Sequence, residues 1–277
     1  MTYRRQSDLT APVGQVRSLR ARLRASWLDL ALGALGMSTP LLLWWIGSHT
    51  TTFVPSIGEV LREIPEFLTQ KSIWPDVLAT IQRVAGSLVI ALIIGAGAAH
   101  VMYQGGLWGR VADRYVGLML GIPSTIAALL ALYIFKRSEI GVYFVVSIIT
   151  FPFVALTLLQ GLKAADRRLD EMGDVYRLRP AERTRHIAVP HLVPYTFAAV
   201  RNEYAHAWKV VVLAELFAVN SGMGARFARA FDRFRIVDAM LWLIVFMIIL
   251  LGTEYLLLLP SERRALRWRQ TGSETTT

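Results

Sequence analysis

Most of this chain consists of apolar runs of about twenty residues that hold few or no charged side chains. An α-helix needs about 20 apolar residues to cross roughly 30 Å of hydrocarbon. Six runs meet that length, and they cover Trp27–Ile46, Val84–Tyr103, Tyr115–Phe135, Ile140–Leu162, Tyr195–Val219 and Met240–Leu259. The sequence therefore predicts an all-α, polytopic membrane helix bundle with about six transmembrane helices.

Composition excludes several function classes. Charged residues make up 18% of the 277 residues, where a soluble domain has about 25%. The net charge of +10 suits either nucleic acid or anionic headgroups, and the apolar runs favour the membrane. The absence of cysteine excludes disulfides, thiolate metal sites and cysteine nucleophiles. The spans show no clustered catalytic set, so no catalytic or metal-binding residue is assigned.

Lysine and arginine counts in the connections set the orientation, because cytoplasmic loops are enriched in both. Residues 1–25 form a basic arm, residues 26–260 the transmembrane domain, and residues 261–277 a basic tail. The insert at residues 163–190 is also strongly basic. These segments predict that both termini are cytoplasmic (N-in, C-in). The stretch Asn220–Asp238 does not fit this orientation, because it is rich in arginine although the order of the spans places it outside.

Two connections are expected to contain helices. In the outer segment Gly47–Arg83, apolar residues at helical spacing predict an interfacial amphipathic helix over Ile57–Leu68. The cytoplasmic insert fits one short helix over Ala165–Tyr176 and a second from Pro180, which Pro190 and Pro194 then end. From the residues alone, the insert is either a docking surface for a partner or a solvated loop that binds headgroups.

The insert and its flanks also resemble a known family. Glu171, Ile187 and Pro190 fall in register with the EAA loop of bacterial ABC importer permeases. The next span is similar to the fifth span of the nitrate/sulfonate/taurine branch, with matches at Pro194, Arg201, Trp208, Glu215, Ser221, Gly222 and Gly224. FVPSIGEVL, IQRVAGSLVIALIIG and GIPSTIAALLALYIF resemble earlier segments of the same branch. The resemblance covers nearly the whole chain.

The resemblance implies a type I ABC importer permease. The chain has no Walker A pattern, so ATP and Mg²⁺ would be bound by a separate ABC ATPase and no cofactor by this chain. The other implied partners are a second permease subunit, identical or paralogous, and a periplasmic or lipid-anchored substrate-binding protein. The residues expected to contact the ATPase are Glu171, Tyr176, Arg177, Arg179, Arg183, Arg185 and Pro190.

The loop departs from the family pattern at three positions. Met172 and Gly173 replace the two alanines, and Arg177 replaces the turn glycine. That glycine is expected where a helix ends in a left-handed conformation, which costs a residue with a Cβ roughly 1 kcal/mol or more. The docking loop is therefore degenerate. We hypothesise that the partner is a more regular permease or an unusually matched ATPase.

Ionisable residues in the fifth predicted span mark a candidate pathway, because such residues are costly at membrane depth. Asn202, His206 and Lys209 share one helical stripe, Glu203 is placed to pair with His206, and Glu215 is expected near the outer mouth. The alternative for these residues is hydrogen bonding within the bundle or contact between subunits.

The outer arginines Arg226, Arg229 and Arg233 are expected on one face of a short helix. There they form a cationic mouth for an anion, a contact for an acidic binding protein, or a contact for headgroups. Together with the family branch, this patch favours a small anionic substrate of the sulfonate, nitrate or taurine kind. A neutral heterocycle such as a vitamin precursor is the alternative substrate, and a membrane-embedded enzyme or a channel is the alternative class of protein.

Overall fold

The computed structural model describes residues 35–36, 38–51, 53–135, 138–165, 172–173, 175–179, 182 and 184–266. The chain forms two compact units, Met1–Arg62 and Glu63–Thr277. Of the first predicted span, Trp27–Ile46, residues 27–34 and 37 lie outside the described residues.

In the first unit, helix α1 covers residues 38–50, and Trp44 Nε1 donates a hydrogen bond to the Pro55 carbonyl at 3.0 Å. Helix α2 runs over Ile57–Thr69 with Pro65 inside it. The helix predicted over Ile57–Leu68 is therefore confirmed.

The described part of the second unit is mainly helical and begins with the end of α2. Its helices are α3 (Trp74–Gln104), α4 (Gly106–Gly121), α5 (Ser124–Ile134), α6 (Glu139–Lys163), α7 (Val189–Ala218), α8 (Met223–Asp232), α9 (Ile236–Thr253) and α10 (Leu259–Ala265). A π-helical turn at Thr184–Ala188 leads into α7, and another at Glu254–Leu258 joins α9 to α10.

Three described helices are long and apolar enough to cross a membrane: Trp74–Gln104, Glu139–Lys163 and Ile236–Ala265. A fourth span is obtained if Arg185–Ala218 and Met223–Asp232, which are bent by 52° at a short break, count as one. The all-helical membrane class is therefore confirmed, while the described residues support three or four spans where the sequence predicted about six.

The predicted span Tyr115–Phe135 is wrong as one helix, because α4 ends at Gly121 and α5 begins at Ser124. Pro123 causes the break. A residue that precedes proline is driven out of the α conformation, and Ile122 is extended with φ −78° and ψ 125°.

The predicted start of the second span at Val84 is also wrong, because α3 begins ten residues earlier, at Trp74. The sequence placed Asp76 and Arg83 in the outer loop on account of their charge. Both are buried, at 5% and 3% exposure, because each finds charged and hydrogen-bonding partners described below.

Pro190 and Pro194 do not end a helix as predicted, since α7 contains both. Pro190 lies in the first turn of α7, where a missing N–H costs little. A π-helical turn before α7 is one of the local adjustments that accommodate proline in membrane helices.

The core is formed where α3 and α6 pack closely, with α4 and α7 beside them. It includes Ala91 and Ala99 of α3, Val154 and Ala155 of α6, and Ala199 of α7, all of them fully buried. A Cβ on Gly95 would lie 2.7 Å from Val154 Cγ1. Small residues thus allow the two backbones to approach, as is usual between membrane helices.

Candidate functional site

A cluster of polar side chains, all buried except Glu139, joins three helices at one end of the second unit. Asp76, Thr80 and Arg83 come from the first turns of α3, Glu139 from the start of α6, and Glu215 from the end of α7. We call these five residues the polar cluster. Because α3 and α6 begin where α7 ends, the cluster lies at the end of the bundle that the charge counts predict to be outside.

Glu215 lies at the centre of the polar cluster and is fully buried. Its carboxylate accepts hydrogen bonds from Arg83 Nη1 at 2.6 Å and from Thr80 Oγ1 at 2.9 Å. The Gly224 backbone N–H donates a further bond at 2.9 Å. A buried carboxylate is stable only when a positive charge and hydrogen-bond donors compensate its burial, and Glu215 has both kinds of partner.

The Arg83 guanidinium uses all five of its N–H donors. Nε and Nη2 make a bidentate pair with Glu139, at 2.9 and 2.7 Å. Nη1 bonds Glu215 at 2.6 Å and the Ser221 carbonyl at 2.9 Å, while Nη2 also bonds Ser221 Oγ at 2.6 Å. Arginine suits this position because its planar fork binds several acceptors at fixed angles.

The same cluster caps the start of α8. The backbone N–H of Gly222 donates to Asp76 Oδ1 at 2.8 Å, and that of Met223 donates to Thr80 Oγ1 at 2.9 Å. The first N–H groups of a helix lack intrahelical acceptors, so side chains of α3 and α7 satisfy them here. The cluster thereby fixes the bend between α7 and α8.

The Ser221-Gly222-x-Gly224 motif now has a physical explanation. Gly222 has φ +101°, and a Cβ there would lie 2.4 Å from Glu215 Cδ. A Cβ on Gly224 would lie 2.5 Å from the Val212 carbonyl oxygen. Sequence reasoning missed Asp76, Thr80, Arg83 and Glu139 as cluster members, although the first three recur at helical spacing of four and three residues, a pattern that could have shown them on one face.

Arg226 and Arg229 of the predicted basic patch lie on a short helix, α8, as expected. Both form hydrogen bonds within the chain. Arg226 Nε bonds the buried Asp76 carboxylate at 2.6 Å, and Arg229 Nη1 bonds the Asn220 carbonyl at 2.6 Å. Arg233 is exposed and lies at the C-cap of α8. The next residue, Phe234, is 81% exposed and has a positive φ of 58°. The charge of Arg226 is therefore balanced within the chain.

The fifth predicted span carries its polar stripe on α7 as expected. Asn202 and Lys209 are exposed, and His206 is half-buried. His206 Nδ1 lies 3.0 Å from Glu203 Oε2, which confirms the predicted pair. Glu215 is separate from this stripe, because it is enclosed by the polar cluster rather than open to a pathway.

The insert at residues 163–190 contains a helix end in the left-handed conformation at Arg177, the position where the family pattern has glycine. Arg177 has a φ of +51°, the Tyr176 N–H bonds the Met172 carbonyl, and the Leu178 N–H bonds the Gly173 carbonyl, each at 3.0 Å. The second bond has the six-to-one pattern of a Schellman motif, with arginine at the left-handed position.

Other residues of the insert are exposed. Tyr176 is 72% exposed, and Arg179 and Arg185 are also on the surface. The Arg179 N–H bonds Glu182 Oε2 at 2.9 Å, and Pro190 lies within α7. Glu171, predicted to be the central ATPase contact, and Arg183, predicted to lie beside it, are outside the described residues.

The fold and these polar sites define a polytopic α-helical membrane protein in which the polar cluster fixes the bend between α7 and α8. The chain belongs to the family of binding-protein-dependent transport system inner membrane components, whose sequence pattern matches residues 88–259. It is therefore a non-catalytic, inner-membrane permease component of an ABC importer.

Individual relatives are distant. A probable ABC transporter permease of Brucella abortus strain 2308 is 26% identical over 257 residues, covering 91% of this chain and 99% of the relative. A putative aliphatic sulfonates transport permease of Bacillus subtilis is 23% identical over 261 residues, covering 92% of each chain. The taurine transport system permease of Escherichia coli is 22% identical over 217 residues, covering 73% of this chain and 78% of the relative.

Proposed function

We propose that this permease forms the translocation pathway for a small anionic solute and is driven by a separate ATPase that docks on residues 163–190. The fold is a type I importer bundle of about six spans with both termini in the cytoplasm. A binding protein delivers the solute to the outer end, where the polar cluster holds α8.

The observation that carries the docking assignment is the left-handed turn at Arg177. A bulky residue with positive φ stores strain, and strain of this kind is concentrated at functional sites. The turn lies beside Val175 and Tyr176, which are 81% and 72% exposed. An exposed aromatic and aliphatic pair on a basic segment has the composition of a protein-binding surface.

The substrate class has two sources of support. Two relatives are named for the transport of aliphatic sulfonates and of taurine. Lys209 is exposed on α7, and no described acidic residue forms an ion pair with it. An unpaired cation on the candidate pathway favours a solute that carries negative charge.

The degenerate loop also bears on subunit composition. Because Arg177 keeps a strained turn where the family pattern has glycine, we propose that this chain assembles with a second, more regular permease or with a matched ATPase. Purification of the complex from native membranes tests this. A homodimer of this chain on an ordinary ATPase dimer contradicts it.

The docking assignment is tested with Tyr176→Ala in the reconstituted importer, with ATP hydrolysis and solute uptake measured together. We expect uptake to fall at least about fivefold, because tyrosine is enriched among the interface residues whose truncation costs more than about 1 kcal/mol. Tyr133→Ala is the matched control, since Tyr133 is 85% exposed near the opposite end of the bundle. Equal uptake by the two variants contradicts the assignment.

A further inference from the structure

A cavity of about 250 Å³ lies beside the break between α4 and α5. Its walls include Ile122 and Ser124 at the break, Ile149 and Phe153 of α6, and His206 of α7. We call it the helix-break cavity. It differs from the polar cluster in position and in lining, because the two share no residue.

The break explains why the cavity exists. Pro123 separates two helices of 16 and 11 residues, and an interrupted helix leaves backbone groups without intrahelical partners. Within a membrane, such irregular backbone is tolerated where it lines a cavity or is buried in protein. Ile122 and Ser124, on either side of Pro123, both line this one.

His206 is held in place on the opposite wall by two contacts. Its Nδ1 lies 3.0 Å from Oε2 of the buried Glu203. Its ring meets the Phe153 ring edge-to-face, with centroids 5.6 Å apart and planes at 89°. Among the described residues, no hydrogen-bond partner meets its second nitrogen, Nε2. A fixed polar atom on a largely apolar wall is the usual design of a small-solute site.

The charges around the cavity favour a negative ligand group. None of the residues that line it is acidic, and Lys209 follows His206 by one turn on α7. An anion accepts a hydrogen bond from Nε2 when the imidazole takes up a proton from water together with it, so that Nε2 donates to the ligand and Nδ1 to the Glu203 carboxylate. That carboxylate then acts as the counter-charge that orients the ring.

We propose that the helix-break cavity holds the solute during passage and that His206 contacts its anionic head group. This inference rests on the proposed transport function and adds the site and the specificity-determining residue. A volume of about 250 Å³ lies just below the range of roughly 300–1,000 Å³ for drug-sized ligands, which suits a solute of few heavy atoms.

The cysteine-free sequence permits a direct test, because a single introduced thiol has no competitor in the chain. Ser124→Cys is placed in the assembled transporter in membrane vesicles. Two methanethiosulfonate reagents of similar size are compared, one with a sulfonate group and one with a trimethylammonium group. Gln70→Cys, at an exposed position, gives the intrinsic ratio of their rates. Ala128→Cys, on the same helix but fully buried, is the unreactive control.

We expect the Ser124→Cys variant to favour the sulfonate reagent by at least about fivefold over the reference ratio, the size of one contact between unit charges about 4 Å apart in water. Adding His206→Gln, which keeps a donor for Glu203, should lower that preference at least about twofold. A preference equal to the reference, or unchanged by His206→Gln, overturns the proposal. So does an unreactive Ser124→Cys variant when Gln70→Cys reacts, since another subunit or lipid then fills the space.

The labelling does not depend on transport, so the two proposals fail separately. Selective labelling in a complex that shows no ATP-driven uptake rejects the transport function and leaves an anion site. Uptake without selective labelling rejects the cavity and leaves the transport function.

Discussion

Replacement of Arg83 by methionine is the sharpest test of the polar cluster. Methionine keeps much of the side-chain volume but removes all five donors, which now serve Glu139, Glu215 and Ser221. Glu215 is fully buried and would lose its charged partner. Glu139 is 56% exposed, so water can replace its lost contact.

The magnitude follows from the burial of the pair. Removing one partner of a buried ion pair costs about 3–5 kcal/mol, because the other charge stays buried without compensation. An exposed pair is worth about 0–1 kcal/mol. Arg235→Met is therefore the matched control, since Arg235 pairs with Asp238 at 2.5 Å with side-chain exposures of 65% and 25%.

The free energy of unfolding is measured for both variants in mixed detergent micelles, with tryptophan fluorescence as the signal. We expect Arg83→Met to lower it by about 3–5 kcal/mol and Arg235→Met by less than about 1 kcal/mol. The double variant Arg83→Met/Glu215→Leu should recover part of the loss, because it removes the uncompensated charge. Equal losses of unfolding free energy in Arg83→Met and Arg235→Met would contradict the stabilising role of the buried Arg83–Glu215 pair.

Three further substitutions test separate parts of the account. Gly222→Ala should lower the unfolding free energy by more than about 1 kcal/mol, because its φ is +101° and the added Cβ meets Glu215; Gly252→Ala, with open space around it, should not lower it. Arg177→Gly should raise the unfolding free energy by about 1 kcal/mol by relieving the left-handed turn, and no change would argue against that conformation. Lys209→Met should reduce solute uptake at constant protein abundance, and unchanged uptake removes Lys209 from the pathway.

Features that depend on local backbone chemistry could be predicted from the sequence. At Arg177 the sequence shows that the family's glycine is missing, and the structure shows the left-handed helix end that makes glycine favourable there. The Glu203–His206 pair is similar, since residues three apart on a helix face each other. The helix around Pro65 was also found from its apolar spacing.

The polar cluster could not be predicted in the same way, because its members meet over long sequence distances. Arg83 bonds Glu139 and Glu215, which are 56 and 132 residues away. The predicted span began too late because Arg83 was assigned to the loop on account of its charge. The partners that allow Arg83 to be buried are far away in the sequence. At Pro123 the prediction joined two helices into one span. Hydropathy is averaged along the chain and does not detect a residue that ends a helix.

The most direct test of the central claim is site-specific crosslinking to the ATPase in native membranes. Tyr176→Cys puts a single thiol on the surface of the cytoplasmic insert, in a chain with no other cysteine. Phe234→Cys puts one at a site of similar exposure after α8, at the opposite end. We expect the Tyr176→Cys variant to crosslink to the ATPase, and we expect no crosslink from the Phe234→Cys variant. A crosslink from Phe234→Cys, or none from Tyr176→Cys in an assembled complex, contradicts both the docking surface and the orientation.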